Sequence, residues 1–292
     1  WGKCLSGIAR DVYKETKEVK IQVFYGGTMG DEGEIGDKIG YKQLDGGAFT
    51  GNGLGRITPE VRVLEIPGLF SKSSDADYVY ERIEKDLQPY FAKKGFYLIS
   101  LAETGFAYFF SKKNISSVED IRKTKMWMWK GDRLAVEFMK ALKIAPIQVN
   151  FTEVVSSLQT GLIDGFYATP YGAAALQWDK EASYMLDMPM VDVTGGLVMS
   201  MESWNKLSAK QKEAMVSVTK RFVRELTLAN RTSDAETIQL FKKNGLAVNP
   251  SKDPADLMAK TGVEMEKGLA GSLVPAELIQ KTRALALEAR KK

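Results

Sequence analysis

The stretch 208-SAKQKEAMVSVTKRFVRELTLANRTSDAETIQLFKKNG-245 does most to decide the fold of this chain. Its apolar residues recur with the spacing of one face of a helix. Ser208 and Gln211 form a capping-box pattern at its start, and Gly245 is a typical residue after a helix end. The predicted helix has about 35 residues, roughly three times the usual length in globular proteins. It is long enough to bridge two domains.

Short strand patterns and helical patterns alternate elsewhere in the chain. Predicted strands lie at 19–25, near 46–50, at 96–102, at 106–111 and at 125–130, and predicted helices at 4–15, 34–43, 74–94, 133–143, 151–160 and 275–292. Strands that alternate with helices of this length predict an α/β protein with largely parallel sheets.

Composition excludes several functional classes. The chain has 292 residues, 44% of them hydrophobic, with a formal charge of +4, which fits a globular protein of two domains. Lysines are scattered rather than clustered, so we expect no nucleic-acid partner. With no histidine, the usual zinc sites and histidine-based catalysis are absent, and we expect no enzyme, metal or cofactor. Cys4, the only cysteine, is predicted to lie in the core of the first helix.

Glycine-rich segments at 26–33 and 51–55 resemble phosphate-binding loops, but neither fits a nucleotide-binding motif. We interpret both as loops in which another group approaches the backbone closely. The chain opens at Trp1 with helix-like sequence, so we expect a mature form from which an N-terminal segment has been removed.

Aromatic residues are concentrated in one part of the chain. In 125-KMWMWKGD-132 the side chains of Trp127 and Trp129 point the same way if this segment is a strand. Four more rings follow within about fifty residues, near predicted strand ends, where open α/β sheets bind ligands: Phe166, Tyr167, Tyr171 and Trp178. Each ring is either core filling or the wall of a binding site, and both interpretations stay open at this point.

Four stretches of the sequence resemble the DctP family of extracytoplasmic solute receptors, which serve tripartite ATP-independent periplasmic (TRAP) transporters. They are 21-IQVFYGGTMGDEGE-34, 64-LEIPGLF-70, 115-ISSVEDIRKTKMWM-128 and 153-EVVSSLQTGLIDGF-166. The resemblance implies a periplasmic-binding-protein-like fold, with two α/β lobes, a hinge and a long helix spanning both. It also implies a periplasmic location, a small-molecule ligand held between the lobes, and the membrane subunits of a TRAP transporter as partners.

The sequence departs from the family at four polar positions of the ligand site. Trp127 stands where carboxylate-binding relatives have an arginine, and Ala107 replaces a second arginine. Tyr167 and Ala168 replace a Glu-Asn pair. Because tryptophan offers an apolar face and one N–H donor in place of a guanidinium, these changes imply an apolar or aromatic ligand. If that ligand bears a carboxylate, backbone N–H groups or hydroxyls must hold it.

We therefore predict an aromatic ligand site, with Trp127 as its main wall and Trp129 nearer the core. Removing the Trp127 side chain should then abolish binding and leave the stability of the ligand-free protein nearly unchanged. The predicted ligand-binding residues are Trp127, Tyr167, Phe106, Trp178, Thr104, Thr169, Asn52, Ala107 and Ala168. The alternative is a scaffold protein that keeps the receptor fold with a degraded ligand site.

The predicted first lobe comprises 1–104 plus 194–234, and the second comprises 105–193 plus 235–292. The Trp-x-Trp-x-Gly-Asp variant at 127–132 also resembles a branch of the family whose receptors work with a tetratricopeptide-repeat lipoprotein. That resemblance implies a further protein partner.

Overall fold

The structure is a computed structural model that describes residues 1–292. Its helices are α1 Gly2–Thr16, α2 Glu32–Gly40, α3 Gly51–Ile57, α4 Ser73–Lys93, α5 Val118–Ile121, α6 Arg133–Ala141, α7 Val154–Gln159, α8 Pro170–Ala175, α9 Met201–Lys206, α10 Ala209–Lys243, α11 Leu257–Leu269 and α12 Ala276–Ala289. Its strands are β1 Gly46–Thr50, β2 Phe96–Phe106, β3 Tyr108–Ser111, β4 Trp127–Trp129, β5 Ile147–Val149, β6 Gly165–Ala168, β7 Tyr184–Asp187, β8 Asp192–Ser200 and β9 Ala247–Pro250. Three 3-10 segments complete the structure: Pro59–Glu65, Phe151–Glu153 and Trp178–Glu181.

Helix α10 has 35 residues and begins with the predicted capping box. The Gln211 backbone N–H donates to the Ser208 hydroxyl, and the Ser208 N–H donates to the Gln211 side chain. Along its length the helix packs first on α1 and β2 and then on α8 and β9. It therefore contacts both sheets of the molecule, as the sequence predicts.

Two sheets form the centres of the two lobes. The first has the strand order β1-β8-β2 and the second has the order β6-β3-β7-β9. A separate parallel pair, β4-β5, adjoins the second sheet through a bridge between Met126 and Gly165. The prediction of largely parallel sheets is wrong, because only β4-β5 and β7-β9 are parallel pairs. The chain leaves the first lobe along β2 and returns along β8, so these two long strands run in opposite directions.

Two local predictions also differ from the structure. Residues 19–25 form no strand because no other strand pairs with them, although Val19 and Ile21 pack on the core beside α1. The glycine-rich 51–55 segment is not a loop but part of α3, which the Thr50 hydroxyl caps. The close approach predicted there does occur, because a Cβ on Gly51 would lie 2.1 Å from Glu65 Oε1.

Three apolar clusters form the core. The first includes the packing of α4 and α12 on β2 and continues to Phe109 of β3 and Phe138 of α6. The third packs α1 against α10 and contains the buried Cys4. The second contains Trp127 and Phe241 and lies under the second sheet. The division of the chain into lobes stays a proposal, and the packing of α12 on α4 favours placing residues 276–289 with the first lobe. None of the helices has the length and apolar character needed to cross a bilayer.

Candidate functional site

A cavity of about 270 Å³ lies between the two sheets, and 15 of the 25 residues that line it are hydrophobic. It is framed by the start of α3, the 3-10 segment Pro59–Glu65, strand β4 and the segment after β6. Six aromatic rings contribute to its wall: Trp127, Trp129, Phe138, Phe151, Tyr167 and Trp178. An apolar cavity with a few polar groups is the usual form of a small-molecule site.

Trp127 belongs to both the cavity and the core. Its side chain is only 2% exposed, and its indole N–H donates to the Val149 carbonyl of β5 at 3.0 Å. Its ring stacks on Tyr167 with a centroid distance of 5.0 Å and meets the edge of Trp178 at 5.3 Å. Removing this ring leaves a void in the second core cluster and costs about 3–5 kcal/mol of stability. The expectation that Trp127→Ala spares the ligand-free protein therefore does not hold.

Trp129 faces the cavity more openly than Trp127. It is half-buried, and its ring stacks on Phe151 with a centroid distance of 4.7 Å. The two tryptophans do lie on one side of β4, with centroids 6.2 Å apart, as the strand periodicity predicts. Their expected order is wrong, however, because Tyr167 and Trp178 pack directly on Trp127, which is the more buried of the two tryptophans.

Eight of the nine predicted ligand-binding residues line this cavity: Asn52, Thr104, Ala107, Trp127, Tyr167, Ala168, Thr169 and Trp178. Phe106 is the exception and packs half-buried against the first core cluster. The register of β2 against β8 shifts between Glu103 and Phe106, and Gly105 has a φ of +112°. This irregularity turns Phe106 away from the cavity and keeps Thr104 at its wall.

The predicted polar residues differ in how much hydrogen-bonding capacity they retain. The Thr104 hydroxyl donates to the Val193 carbonyl at 2.9 Å, so it can only accept from a ligand. The Thr169 hydroxyl accepts the Gly172 N–H at the start of α8, so its own proton is still available. The Asn52 amide makes no hydrogen bond within the protein. Both Asn52 and Thr169 can therefore donate to a ligand.

The polar end of the cavity holds an ionic group that was not predicted from the sequence. Arg62, Glu65 and Asp132, here called the cavity triad, all line the wall and are all buried. Arg62 Nη2 donates to Asp132 Oδ2 at 3.1 Å, and Arg62 Nε lies 2.8 Å from Glu65 Oε2. The signal was present in 61-VRVLEI-66, where two opposite charges three residues apart interrupt an apolar run.

Other groups fix the triad in place. Asp132 Oδ1 accepts the N–H groups of Leu134 and Ala135, which makes it the N-cap of α6. Glu65 Oε1 accepts the Thr194 N–H of β8 at 2.8 Å. Burial raises the pKa of the Glu65 carboxyl, and Arg62 opposes that shift. Burial likewise raises the pKa of the Tyr167 phenol, so this group is neutral at physiological pH.

Comparison with known proteins identifies relatives along most of the chain. A solute-binding protein of Verminephrobacter eiseniae is 24% identical over 264 residues, covering 88% of this chain and 78% of that protein. A TRAP periplasmic solute-binding protein of Desulfovibrio salexigens with bound orotic acid superposes with a TM-score of 0.90 at 19% identity, over 98% of this chain and 94% of that one. A sugar acid binding protein of Advenella mimigardefordensis, in complex with galactonate, gives 0.89 at 20% identity, over 99% and 94%.

The solved structures share the two-lobe α/β fold, which confirms the predicted fold class. The family model described as bacterial extracellular solute-binding protein, family 7, matches residues 3–266. This is a family of binding proteins without catalytic activity, in agreement with the sequence analysis. The chain therefore belongs to the DctP family of solute-binding proteins, as the four sequence motifs predict.

Proposed function

We propose that this protein is an extracytoplasmic receptor that binds a small, mainly apolar or aromatic molecule between its lobes and delivers it to a TRAP-type transporter. The observation that carries the proposal is the cavity of about 270 Å³ with six aromatic rings in its wall. This volume is at the small end of ligand sites, so the ligand is small. Stacking on one or two of these rings would supply both affinity and orientation.

The chemistry of the wall distinguishes this protein from relatives that were solved with acids. The two positions where the family resemblance implies arginines hold Trp127 and Ala107, and both line the cavity. The one N–H of the Trp127 side chain is already bonded to Val149. Trp127 therefore contributes an apolar face and no donor for a ligand carboxylate.

A scaffold protein with a degraded ligand site is the alternative. A degraded site has no reason to keep an open, apolar cavity, because filling such a space with larger side chains stabilises a protein. The preserved cavity therefore favours a receptor. The Trp-x-Trp-x-Gly-Asp segment supports a tetratricopeptide-repeat lipoprotein as an additional proposed partner. Co-purification of such a lipoprotein with this protein from its source would test that partnership.

The ligand class can be tested by thermal shift and calorimetry with two kinds of probe. Three indole derivatives of similar shape, indole-3-acetamide, indole-3-acetate and tryptamine, represent aromatic ligands, and galactonate represents the sugar acids. We expect at least one indole derivative to raise the melting temperature and galactonate to have no effect. Stabilisation by galactonate alone would contradict the proposal.

A matched pair of variants locates the binding site. Trp129 stacks on Phe151 at the cavity, and Trp204 stacks on Tyr97 in the third core cluster, with a centroid distance of 3.6 Å. We expect Trp129→Phe to weaken binding of the best indole probe about fivefold, which corresponds to about 1 kcal/mol. Trp204→Phe should leave the affinity unchanged. Equal effects of the two substitutions would place the probe outside the cavity.

A further inference from the structure

We propose that the cavity triad selects against anions, so that the ligand of this receptor is an uncharged or cationic aromatic molecule. This inference rests on the proposed function and specifies the charge of the ligand. It separates this chain from the solved relatives that hold orotic acid and galactonate, which are acids.

The first step is the sum of charges around the cavity. Arg62, Glu65 and Asp132 are the only Lys, Arg, Asp or Glu residues in its wall. Their formal charges add to −1, or to zero when Glu65 holds the proton that its burial favours. In neither state does the wall carry a net positive charge. An anion that enters would lose its hydration without gaining a free cation as its partner.

The second step is that Arg62 already has its counter-ions. It lies between two carboxylates, with its Nη2 bonded to Asp132 and its Nε beside Glu65. The side chains of Arg62, Glu65 and Asp132 are only 8%, 7% and 9% exposed, so solvent screens these charges weakly. The charge of the guanidinium is therefore already balanced, and a ligand carboxylate at its unbonded Nη1 would be a third carboxylate beside one cation.

The third step is that displacing a carboxylate of the triad to make room for a ligand anion is unfavourable. Asp132 caps α6 through two backbone N–H groups, so it cannot swing away without opening the start of that helix. If Asp132 stayed in place while Arg62 turned to the ligand, Asp132 would be a buried carboxylate without its cation. The ligand would then bring a second carboxylate beside it. An uncharged ligand requires no such exchange. A cationic ligand gains from the excess carboxylate and from the aromatic faces.

The three indole probes test this inference because they differ mainly in charge. Calorimetry of the full chain at pH 7.5 and low ionic strength should show the amide and the amine binding at least tenfold more tightly than the acid. The Asp132→Asn variant removes one negative charge but keeps a residue that caps helices well. In this variant we expect the preference for amide over acid to fall by about tenfold, or about 1.4 kcal/mol.

Asp31→Asn is the matched control, because Asp31 caps α2 in the same manner and lies outside the cavity wall. It should leave the preference unchanged. If the acid binds the wild-type protein as tightly as the amide, the inference is overturned while the aromatic ligand stands. If the Asp132→Asn variant keeps the full preference for amide over acid, Asp132 does not determine that preference, and the inference is also overturned. If none of the three probes binds, the proposed aromatic ligand fails, and the charge inference fails with it.

Discussion

Two arginines, the buried Arg62 and the partly buried Arg231, each lie between two carboxylates, and their surroundings differ. Arg62 belongs to the cavity triad, at the wall between the two sheets. Arg231, on α10, forms the second group with Asp77 of α4 and Glu103 of β2, here called the helix cluster. This second group lies away from the cavity wall, where α10 crosses the first sheet.

The two arginines differ in how completely they are bonded. All three nitrogens of the Arg231 guanidinium donate hydrogen bonds: Nε to Glu103 at 3.0 Å, Nη1 to Asp77 at 3.1 Å, and Nη2 to both carboxylates and the Ser73 carbonyl. Arg62 donates one hydrogen bond to a carboxylate, and its Nε lacks the alignment of a second. The first arrangement fixes α10 on the sheet, and the second leaves a group that a ligand can influence.

The largest effect is expected from breaking the helix cluster. Arg231→Met leaves Glu103, which is 3% exposed, without its cation, and Asp77 loses two hydrogen bonds. Removing one partner of a buried ion pair costs about 3–5 kcal/mol. Urea unfolding of the ligand-free variant should show a loss of this size.

Arg224 provides the control for this substitution. It also pairs with Asp77, at 2.5 Å, but its side chain is 53% exposed. Exposed ion pairs contribute about 0–1 kcal/mol, so Arg224→Met should have a small effect. Equal losses in the two variants would show that the lower exposure of the Arg231 ion pairs adds nothing to their contribution to stability.

A smaller loss of stability is expected from Arg62→Met. The carboxylates of Glu65 and Asp132 border a cavity that water can enter, so they regain part of their solvation when the guanidinium is gone. A buried polar group left without its partner costs about 1–3 kcal/mol, and we expect a loss in that range. Arg56→Met, a change of the same kind at an exposed position of α3, should change the unfolding midpoint little. If Arg62→Met lost as much free energy of unfolding as Arg231→Met, the cavity triad and the helix cluster would contribute equally to stability.

The elements predicted well from sequence are those determined by nearby residues. Helix α10 begins and ends where Ser208, Gln211 and Gly245 indicate, because capping and helical periodicity depend on residues within a few positions. The two tryptophans share one side of β4 for the same reason. Strand pairing depends on distant segments, so residues 19–25 were predicted as a strand that has no partner in the fold.

The candidate site was predicted in its aromatic part and missed in its ionic part. The family motifs place Trp127, Tyr167 and Ala107 at one cavity, and they meet there because β4, β6 and the start of β3 are neighbours. Arg62 and Asp132 are 70 positions apart, and no local pattern shows that they meet. Which tryptophan is more exposed depends on Tyr167 and Trp178, two neighbours from other segments that pack on Trp127. Sequence periodicity predicts the side of a strand on which a residue lies, but not what covers that side.

The smallest effect concerns a carboxylate that has no arginine at all. Asp234 lies one helical turn beyond Arg231, and its Oδ1 accepts the Tyr171 N–H at 2.8 Å. A Cβ on Gly105 would lie 2.0 Å from its Oδ2, so the glycine permits this close approach. Burial raises the pKa of the Asp234 carboxyl from 3.8 to about 7, and Glu103 adds to the shift. The pKa of Asp234, which has no paired cation, is thus raised. The pKa of Asp77 is lowered instead, because its hydrogen bonds with Arg231 outweigh the effect of burial.

The raised pKa makes stability depend on pH. Between about pH 4 and pH 7 the folded protein holds a proton that the unfolded chain releases, so the free energy of unfolding falls as the pH rises through this range. Asp234→Asn keeps an acceptor for the Tyr171 N–H and removes the titration. From pH 5 to pH 8, the urea midpoint should therefore fall more in the wild-type protein than in the variant. Other buried carboxyls contribute equally to both proteins, so the difference between the two slopes isolates Asp234. Equal slopes would mean that the Asp234 carboxyl has the same pKa in the folded and the unfolded chain. The lack of a paired arginine would then leave the pKa of this carboxyl unchanged.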